Sequence, residues 1–248
     1  MRIFGLIGKT LTHSFSPNFF NEKFEVENIH DTYYKLFPLE NIEGILALKN
    51  PKHKIAGLNV TFPYKETIIP FLDDLSETAL KIGAVNTIEC KSDGKWIGHN
   101  TDAQGFEHCI IETLLKEDLR ALVLGTGGAS KAVQYVLAKH HVPFQLVSRN
   151  MNEKLQQISY DELNKSIIEN HLLIINCTPL GTFPNISEHV AIPFAYLTTE
   201  HLIFDLVYNP EETTLMKKAK AAGAKVQNGK AMLINQANAS WEIWNSSN

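Results

Sequence analysis

The chain has no apolar run near the roughly 20 residues needed to cross a bilayer, so no membrane span is expected. Its N-terminal apolar stretch, around Ile3 to Ile7, is too short for a signal-peptide core and reads as a first strand. Cysteine is scarce. Cys90, Cys109 and Cys177 are an odd number, widely spaced and without zinc-ligand pairing, which points to a reduced cytoplasmic setting and three small packing residues. Excess positive charge is also missing. With 23 Lys+Arg against 27 Asp+Glu, the net charge of −4 recommends neither nucleic acid nor an anionic membrane as a partner. The histidines lack ligand spacing, so no metal is expected, and neither an internal repeat nor a low-complexity stretch is present.

What remains is an ordinary globular composition, 44% hydrophobic and 20% charged, in 248 residues, enough for one large domain or two modest ones. The first hundred residues alternate strand and helix. Ile3 to Ile7 leads into a loop where Ser16 is expected to cap a helix with Pro17 at its first position. Thr32 to Phe37 reads as a strand, and Pro38 is expected to open a helix through Lys49. A strand from Ile55 to Thr61 follows, then a short helix from Phe62-Pro63-Tyr64-Lys65 that Pro70 stops. A helix around Ser76 to Ile82 precedes two strands joined by the hairpin turn Asp93-Gly94. A connecting helix then spans about Ala103 to Lys116.

From Ala121 the pattern is regular. The runs Ala121–Leu124, Phe144–Val147, Leu172–Ile175 and Leu202–Leu206 look buried on both faces, as in a parallel sheet. The first feeds Gly125-Thr126-Gly127-Gly128-Ala129-Ser130 into a helix carrying Val133, Val136 and Leu137. A strand, a glycine turn and a helix N-terminus form the phosphate cradle of dinucleotide-binding folds. A tight strand–helix turn also needs glycine for its own sake, and Ser130 replaces the third glycine of the fingerprint. After the second strand, Val147-Ser148-Arg149-Asn150 lacks the acid that would bond a ribose 2′-hydroxyl. An arginine there suits a 2′-phosphate, favouring NADP over NAD, although Arg149 is also compatible with a plain surface position. A last helix from about Lys230 to Trp244 is expected to cross back onto the first domain.

Six further stretches carry a resemblance. They are His13-Ser14-Phe15-Ser16-Pro17, Asn59-Val60-Thr61-Phe62-Pro63-Tyr64-Lys65, Gly83-Ala84-Val85-Asn86-Thr87, Gly98-His99-Asn100-Thr101-Asp102-Ala103-Gln104-Gly105, Asp205-Leu206-Val207-Tyr208-Asn209-Pro210, and Gly229 to Ala237. In this order around such a glycine turn, they resemble the shikimate dehydrogenase family over nearly the whole chain. The resemblance implies an α/β protein with a substrate domain (1–102 and 230–248) and a doubly wound Rossmann domain (103–229). It implies NADPH-dependent reduction of 3-dehydroshikimate to shikimate on the way to chorismate and the aromatic amino acids. It further implies a small-molecule partner and a monomer or homodimer.

By the same resemblance, Ser14 and Ser16 bind the substrate carboxylate. Thr61, Asn86, Tyr208 and Gln236 complete the pocket, and Lys65 and Asp102 form the catalytic pair. Gly125, Thr126, Gly127, Gly128, Ala129, Ser148, Arg149, Asn150, Thr178, Leu206 and Gly229 make up the cofactor set. The family often has a second arginine in its basic cluster, where this chain has Asn152-Glu153-Lys154. The stretch Asn176-Cys177-Thr178-Pro179-Leu180-Gly181-Thr182 is less rich in alanine and serine than is usual, yet its loop is expected near the nicotinamide.

The residue types suit the chemistry on their own terms. Short hydroxyls near a helix N-terminus suit an anion, and amides that both donate and accept suit adjacent hydroxyls. Capping or core satisfaction accounts for Ser16, Asn86 and Gln236 equally well. A cationic donor such as Lys65 stabilises the charge that hydride addition builds on a carbonyl oxygen, with Asp102 orienting it. His13 and His99 border the expected pocket as packing or loop residues. A quinate/shikimate dehydrogenase with broader substrate and NAD use, a methylenetetrahydrofolate dehydrogenase and a non-catalytic nucleotide sensor are the rival readings.

Overall fold

The computed structural model describes residues 1–12, 14–149 and 157–246. They form two compact units, Met1–Thr101 with the chain from Gln236 onward, and Asp102–Asn235. In the first unit, β1 (Arg2–Gly8) leads to α1 (Ser16–Val26), β2 (Thr32–Pro38), α2 (Ile45–Leu48) and β3 (Ile55–Val60). Then come β4 (Asp74–Leu75), α3 (Glu77–Ile82), β5 (Thr87–Cys90) and β6 (Trp96–His99). The sheet order is β2-β1-β3-β5-β6-β4, with β2, β1 and β3 parallel and β5 antiparallel to both of its neighbours. Strand β1 is buried on both faces. Side chains alternate along a strand, so Phe4 and Leu6 enter one apolar cluster and Ile7 the other.

Three expectations for this unit need correction. Ser16 is the first residue of α1 rather than its cap; Phe15 holds the cap position in helical backbone, and no side chain caps the helix. The Ser16 hydroxyl bonds the Tyr34 phenol instead. No helix follows Phe62: prolines 63 and 70 supply no N–H, and the segment forms turns, with Tyr64 N–H to Thr61 O at 2.9 Å, before a single 3-10 turn at Ile69–Phe71. Pro38 ends β2 and does not open a helix. A 3-10 turn at Ile42–Gly44 runs into the four-residue α2, which ends just before Pro51.

The second unit opens with α4 (Asp102–Leu114), followed by β7 (Ala121–Leu124), α5 (Gly128–Lys139), β8 (Phe144–Val147) and α6 (Lys165–Glu169). It continues with β9 (Leu173–Asn176), β10 (Leu202–Asp205), α7 (Thr214–Ala221) and β11 (Lys225–Asn228). All five strands are parallel, in the order β11-β10-β9-β7-β8. Three of the four apolar runs of the sequence are the inner strands β7, β9 and β10, and the fourth, β8, forms one edge. The fifth, Lys-Val-Gln-Asn, lies at the sheet edge, where polar side chains meet solvent and no apolar run marks it. The order reverses between β7 and β9, the place where open α/β sheets receive ligands.

Helix α8 (Lys230–Asn245) closes the chain. From Gln236 onward it counts with the first unit, where Trp244 stacks on Phe4 at 4.7 Å and its indole N–H donates to the Ile88 carbonyl at 2.9 Å. Among the described residues, no helix is long and apolar enough to cross a membrane.

Candidate active site

At the reversal point of the second sheet, β7 ends in the glycine turn. Gly125 has a φ of +99°, a backbone state that L side chains rarely adopt, and a Cβ there would lie 3.0 Å from Thr178 Cγ2. The loop after β7 and the loop after β9 therefore touch. Gly127 precedes α5 in extended backbone, no side chain caps that helix, and a Cβ on Gly127 would point into open space. The turn thus combines room with the N-terminal N–H groups of a 12-residue helix, the pairing a pyrophosphate requires. Ser130 is fully buried, accepts from Gln134 Nε2 at 3.0 Å and bonds the Cys177 thiol. That is the close-packed helix–strand position which the missing third glycine would occupy.

At the end of β8, Ser148 is buried, its N–H donating to Ile158 O at 3.0 Å, and Arg149 is exposed. The Arg149 charge acts on the Tyr160 phenol, which burial pushes up to about 12. Asn150, Lys154 and His13 lie outside the described residues.

The ends of β9 and β10 bring the remaining cofactor candidates together. Asn176 and Asp205 are in register, and Leu206 N–H donates to Asn176 O at 3.0 Å. Gly229 N–H donates to Val207 O at 3.2 Å, and a Cβ on Gly229 would lie 2.1 Å from the Leu206 carbonyl oxygen. Thr178 donates to Asn176 Oδ1 from both its N–H (3.1 Å) and its hydroxyl (2.7 Å). Tyr208 follows, half-buried. Cys177 is no nucleophile: burial and the Asp205 charge push its thiol up, and burial likewise raises Cys90 and Cys109. All three are free.

The first unit holds a buried polar network within an otherwise apolar core. Ser16 hydrogen-bonds the Tyr34 phenol, whose O–H donates to Asn59 Oδ1 at 2.7 Å; burial drives that phenol far above its ordinary range. Asn59 Nδ2 faces Ser240 Oγ (3.0 Å), Thr87 Oγ1 and the Asn86 carbonyl (both 3.3 Å). Asn86 Nδ2 donates to Thr101 Oγ1 (2.9 Å) and Gln236 Oε1 (3.3 Å), while Asn86 Oδ1 accepts from Thr101 N–H at 2.7 Å. Three predicted site residues, Ser16, Asn86 and Gln236, are thereby linked.

The other candidates have their own settings. Ser14 turns back, its hydroxyl donating to Leu11 O at 2.8 Å. Thr61 lies just past the end of β3, its N–H on Ile7 O at 2.9 Å. Lys65 is half-buried, and its carbonyl accepts from Val85 N–H at 2.7 Å, one residue before Asn86. Asp102 is buried at the head of α4 and counts, like Tyr208, with the second unit.

Sequence reasoning omits Tyr34, Asn59, Thr87, Thr101 and Ser240 from its candidates, although three of them carry a signal. Asn59 interrupts Leu58-Asn59-Val60, Tyr34 lies on the inward parity of a strand, and Ser240 is one helical turn beyond Gln236.

An open parallel sheet with a glycine turn at its reversal point, in a chain whose other unit carries a polar network in its core, defines a two-unit dinucleotide-binding α/β protein. The family model described as "Shikimate dehydrogenase substrate binding domain" matches residues 6–88. A shikimate dehydrogenase (NADP(+)) of Desulforamulus reducens is 35% identical over 266 residues, covering 98% of this chain and 89% of that protein. The solved structure of shikimate dehydrogenase 1 from Peptoclostridium difficile aligns with a TM-score of 0.87 at 35% identity, over 100% of this chain and 93% of that one. A Thermus thermophilus shikimate 5-dehydrogenase, solved with NADP(H) and shikimate, aligns with a TM-score of 0.85 at 29% identity, over 99% and 94%. The chain belongs to the shikimate dehydrogenase family.

Proposed function

We propose that this protein is an oxidoreductase that reversibly reduces 3-dehydroshikimate to shikimate with NADPH, a step toward chorismate and the aromatic amino acids. The observation that carries the reading is the coexistence of the Asn86-centred polar network with the Gly125 turn in a chain matching NADP-linked relatives along nearly its whole length. Residues 1–102 and 230–248 take the substrate, and 103–229 take the cofactor. A cytoplasmic monomer or homodimer fits this role.

Ser14 and Ser16 receive the ring carboxylate, with hydroxyls short enough to reach an anion beside the N-terminus of α1. Thr61, Asn86, Tyr208 and Gln236 bind the hydroxyls. The amides of Asn86 and Gln236 both donate and accept, so they can serve a hydroxyl in either sense. Lys65 places a cationic donor at the substrate oxygen where negative charge develops, and it gives that oxygen its proton. Asp102 binds the neighbouring hydroxyl. The backbone of Gly125, Thr126, Gly127, Gly128 and Ala129 receives the pyrophosphate, and Ser148, Arg149 and Asn150 the 2′-phosphate. Thr178, Leu206 and Gly229 border the nicotinamide. When bound, NADPH supplies the hydride.

The test is oxidation of NADPH and of NADH by purified protein with 3-dehydroshikimate, with 3-dehydroquinate, or with neither. Turnover is expected with 3-dehydroshikimate and NADPH. Equal rates on 3-dehydroquinate would shift the reading to a quinate/shikimate dehydrogenase, and no turnover with either would overturn it in favour of a nucleotide sensor.

A further inference from the structure

Asp205 is fully buried at the end of β10, and among the described residues no lysine, arginine or histidine is hydrogen-bonded to it. The donors that hold its carboxylate there are neutral. Oδ1 accepts from Asn176 Nδ2 at 2.8 Å and from Val207 N–H at 3.1 Å, and Oδ2 accepts from the Thr213 hydroxyl at 2.7 Å. An ionised carboxylate can only accept, so it dictates which end of the Asn176 amide faces it. The NH2 end must point to Asp205, and the carbonyl end therefore points outward. There it accepts both the N–H and the hydroxyl of Thr178. One carboxylate thus sets the loop after β9 through the Asn176 amide and the loop after β10 directly through Val207 N–H. Both loops carry residues placed beside the nicotinamide, and the first also abuts Gly125.

We infer that Asp205 is a positioning residue for hydride transfer: its carboxylate, relayed by Asn176, holds Thr178 and the Leu206–Tyr208 segment in working register. This rests on the proposed reaction, and it assigns Asp205 and Asn176 a task in it. Thr213 gives the carboxylate a fixed seat. Its hydroxyl donates to Asp205 while accepting from Met216 N–H as the cap of α7, so the acceptor geometry is anchored to a helix terminus.

The experiment compares Asp205→Ala, Asp205→Asn and Asn176→Ala in the full chain. It reads kcat, KM for each substrate, NADPH affinity by fluorescence, and amide hydrogen exchange without ligand. Asp205→Ala removes both acceptor oxygens, and kcat is expected to fall roughly 10- to 100-fold, the scale for a misplaced reacting group. NADPH affinity, carried by the glycine turn, should change far less, and exchange should quicken at both Thr178 and Val207. Asp205→Asn retains one carbonyl oxygen for Asn176 and Val207 and should restore most of kcat. Asn176→Ala should quicken exchange at Thr178 but not at Val207, and it keeps the test open if Asp205→Ala does not fold.

A lower melting temperature with unchanged kcat and unchanged exchange at Thr178 would reduce Asp205 to a structural role and overturn the inference. If the unaltered protein turns over no substrate, the proposed reaction fails. The exchange measurements then still decide whether the relay exists.

Discussion

Gly229 stands where β11 passes the chain to α8, and the prediction for Gly229→Ala follows from what a single methyl group would meet. The new Cβ would lie 2.1 Å from the Leu206 carbonyl oxygen, 2.6 Å from its carbon and 3.0 Å from Leu206 Cα. All three are backbone atoms, so no rotamer change relieves the clash. Ordinary contact begins at 3.4 Å, so one of the two backbone segments must move by more than an ångström. Overpacking of this kind costs about 1–3 kcal/mol, and the displaced bond from Gly229 N–H to Val207 O adds about 1 kcal/mol. A loss of about 2–4 kcal/mol lowers Tm by roughly 4–16 °C in a chain of this length. The same shift moves Leu206, and an ångström of misplacement costs on the order of 10²-fold in rate, so kcat/KM for NADPH should fall about that far. Thermal melting by circular dichroism and NADPH oxidation with 3-dehydroshikimate read the two effects separately. A variant with unaltered Tm and unaltered kcat/KM would refute the reasoning, because it would mean that the close approach at Leu206 is not needed.

Lys65→Met should lower turnover on the order of 10²–10⁴-fold with much less effect on substrate binding, measured by steady-state kinetics and by equilibrium titration with shikimate. Arg149→Ala should cut the preference for NADPH over NADH by roughly 10- to 100-fold, the value of a charged hydrogen bond, and an unchanged kcat/KM ratio would remove Arg149 from cofactor selection. Burial holds the His99 imidazole below its ordinary range, against the pull of Glu89 Oε2 at 3.2 Å. The unfolded chain then binds the extra proton between the two values, so stability is lost as pH falls below about 6.5. His99→Gln should flatten the fall of Tm between neutral and mildly acid pH. An equally steep fall in the variant would exclude His99 as a source.

The legible parts of the chain are those where one local rule decides. Strand β7 matches its apolar run residue for residue, because a strand buried on both faces needs apolar side chains at every position. Gly125 announces its turn because few other residues tolerate its φ. Strand β11 escapes such reading because an edge strand is held by its backbone pairing to β10 rather than by its side chains. Ser16 shows the limit most plainly. Serine before proline is a good cap locally, yet a buried phenol some twenty residues later, on β2, takes its hydroxyl. The polar network is nonlocal in the same way. Asn59 and Ser240 become partners only once α8 has returned to the first sheet. Sequence marks such residues as polar within apolar stretches but cannot name their partners.

The return of α8 has a consequence for how the protein is made. Gln236, Ser240 and Trp244 recur every four residues, so one face of α8 delivers two members of the polar network and an indole to a unit whose other residues are synthesised before the second unit. Phe4, Phe20 and Phe24 therefore wait for Trp241 and Trp244 while the whole second unit is translated, on the order of ten seconds at ordinary elongation rates. During that interval, the nascent N-terminal unit presents an aromatic surface that a chaperone can hold. A chain broken off before Gln236 would keep its glycine turn and lose the last wall of the other unit, so synthesis through α8 is itself a condition for assembling the first unit.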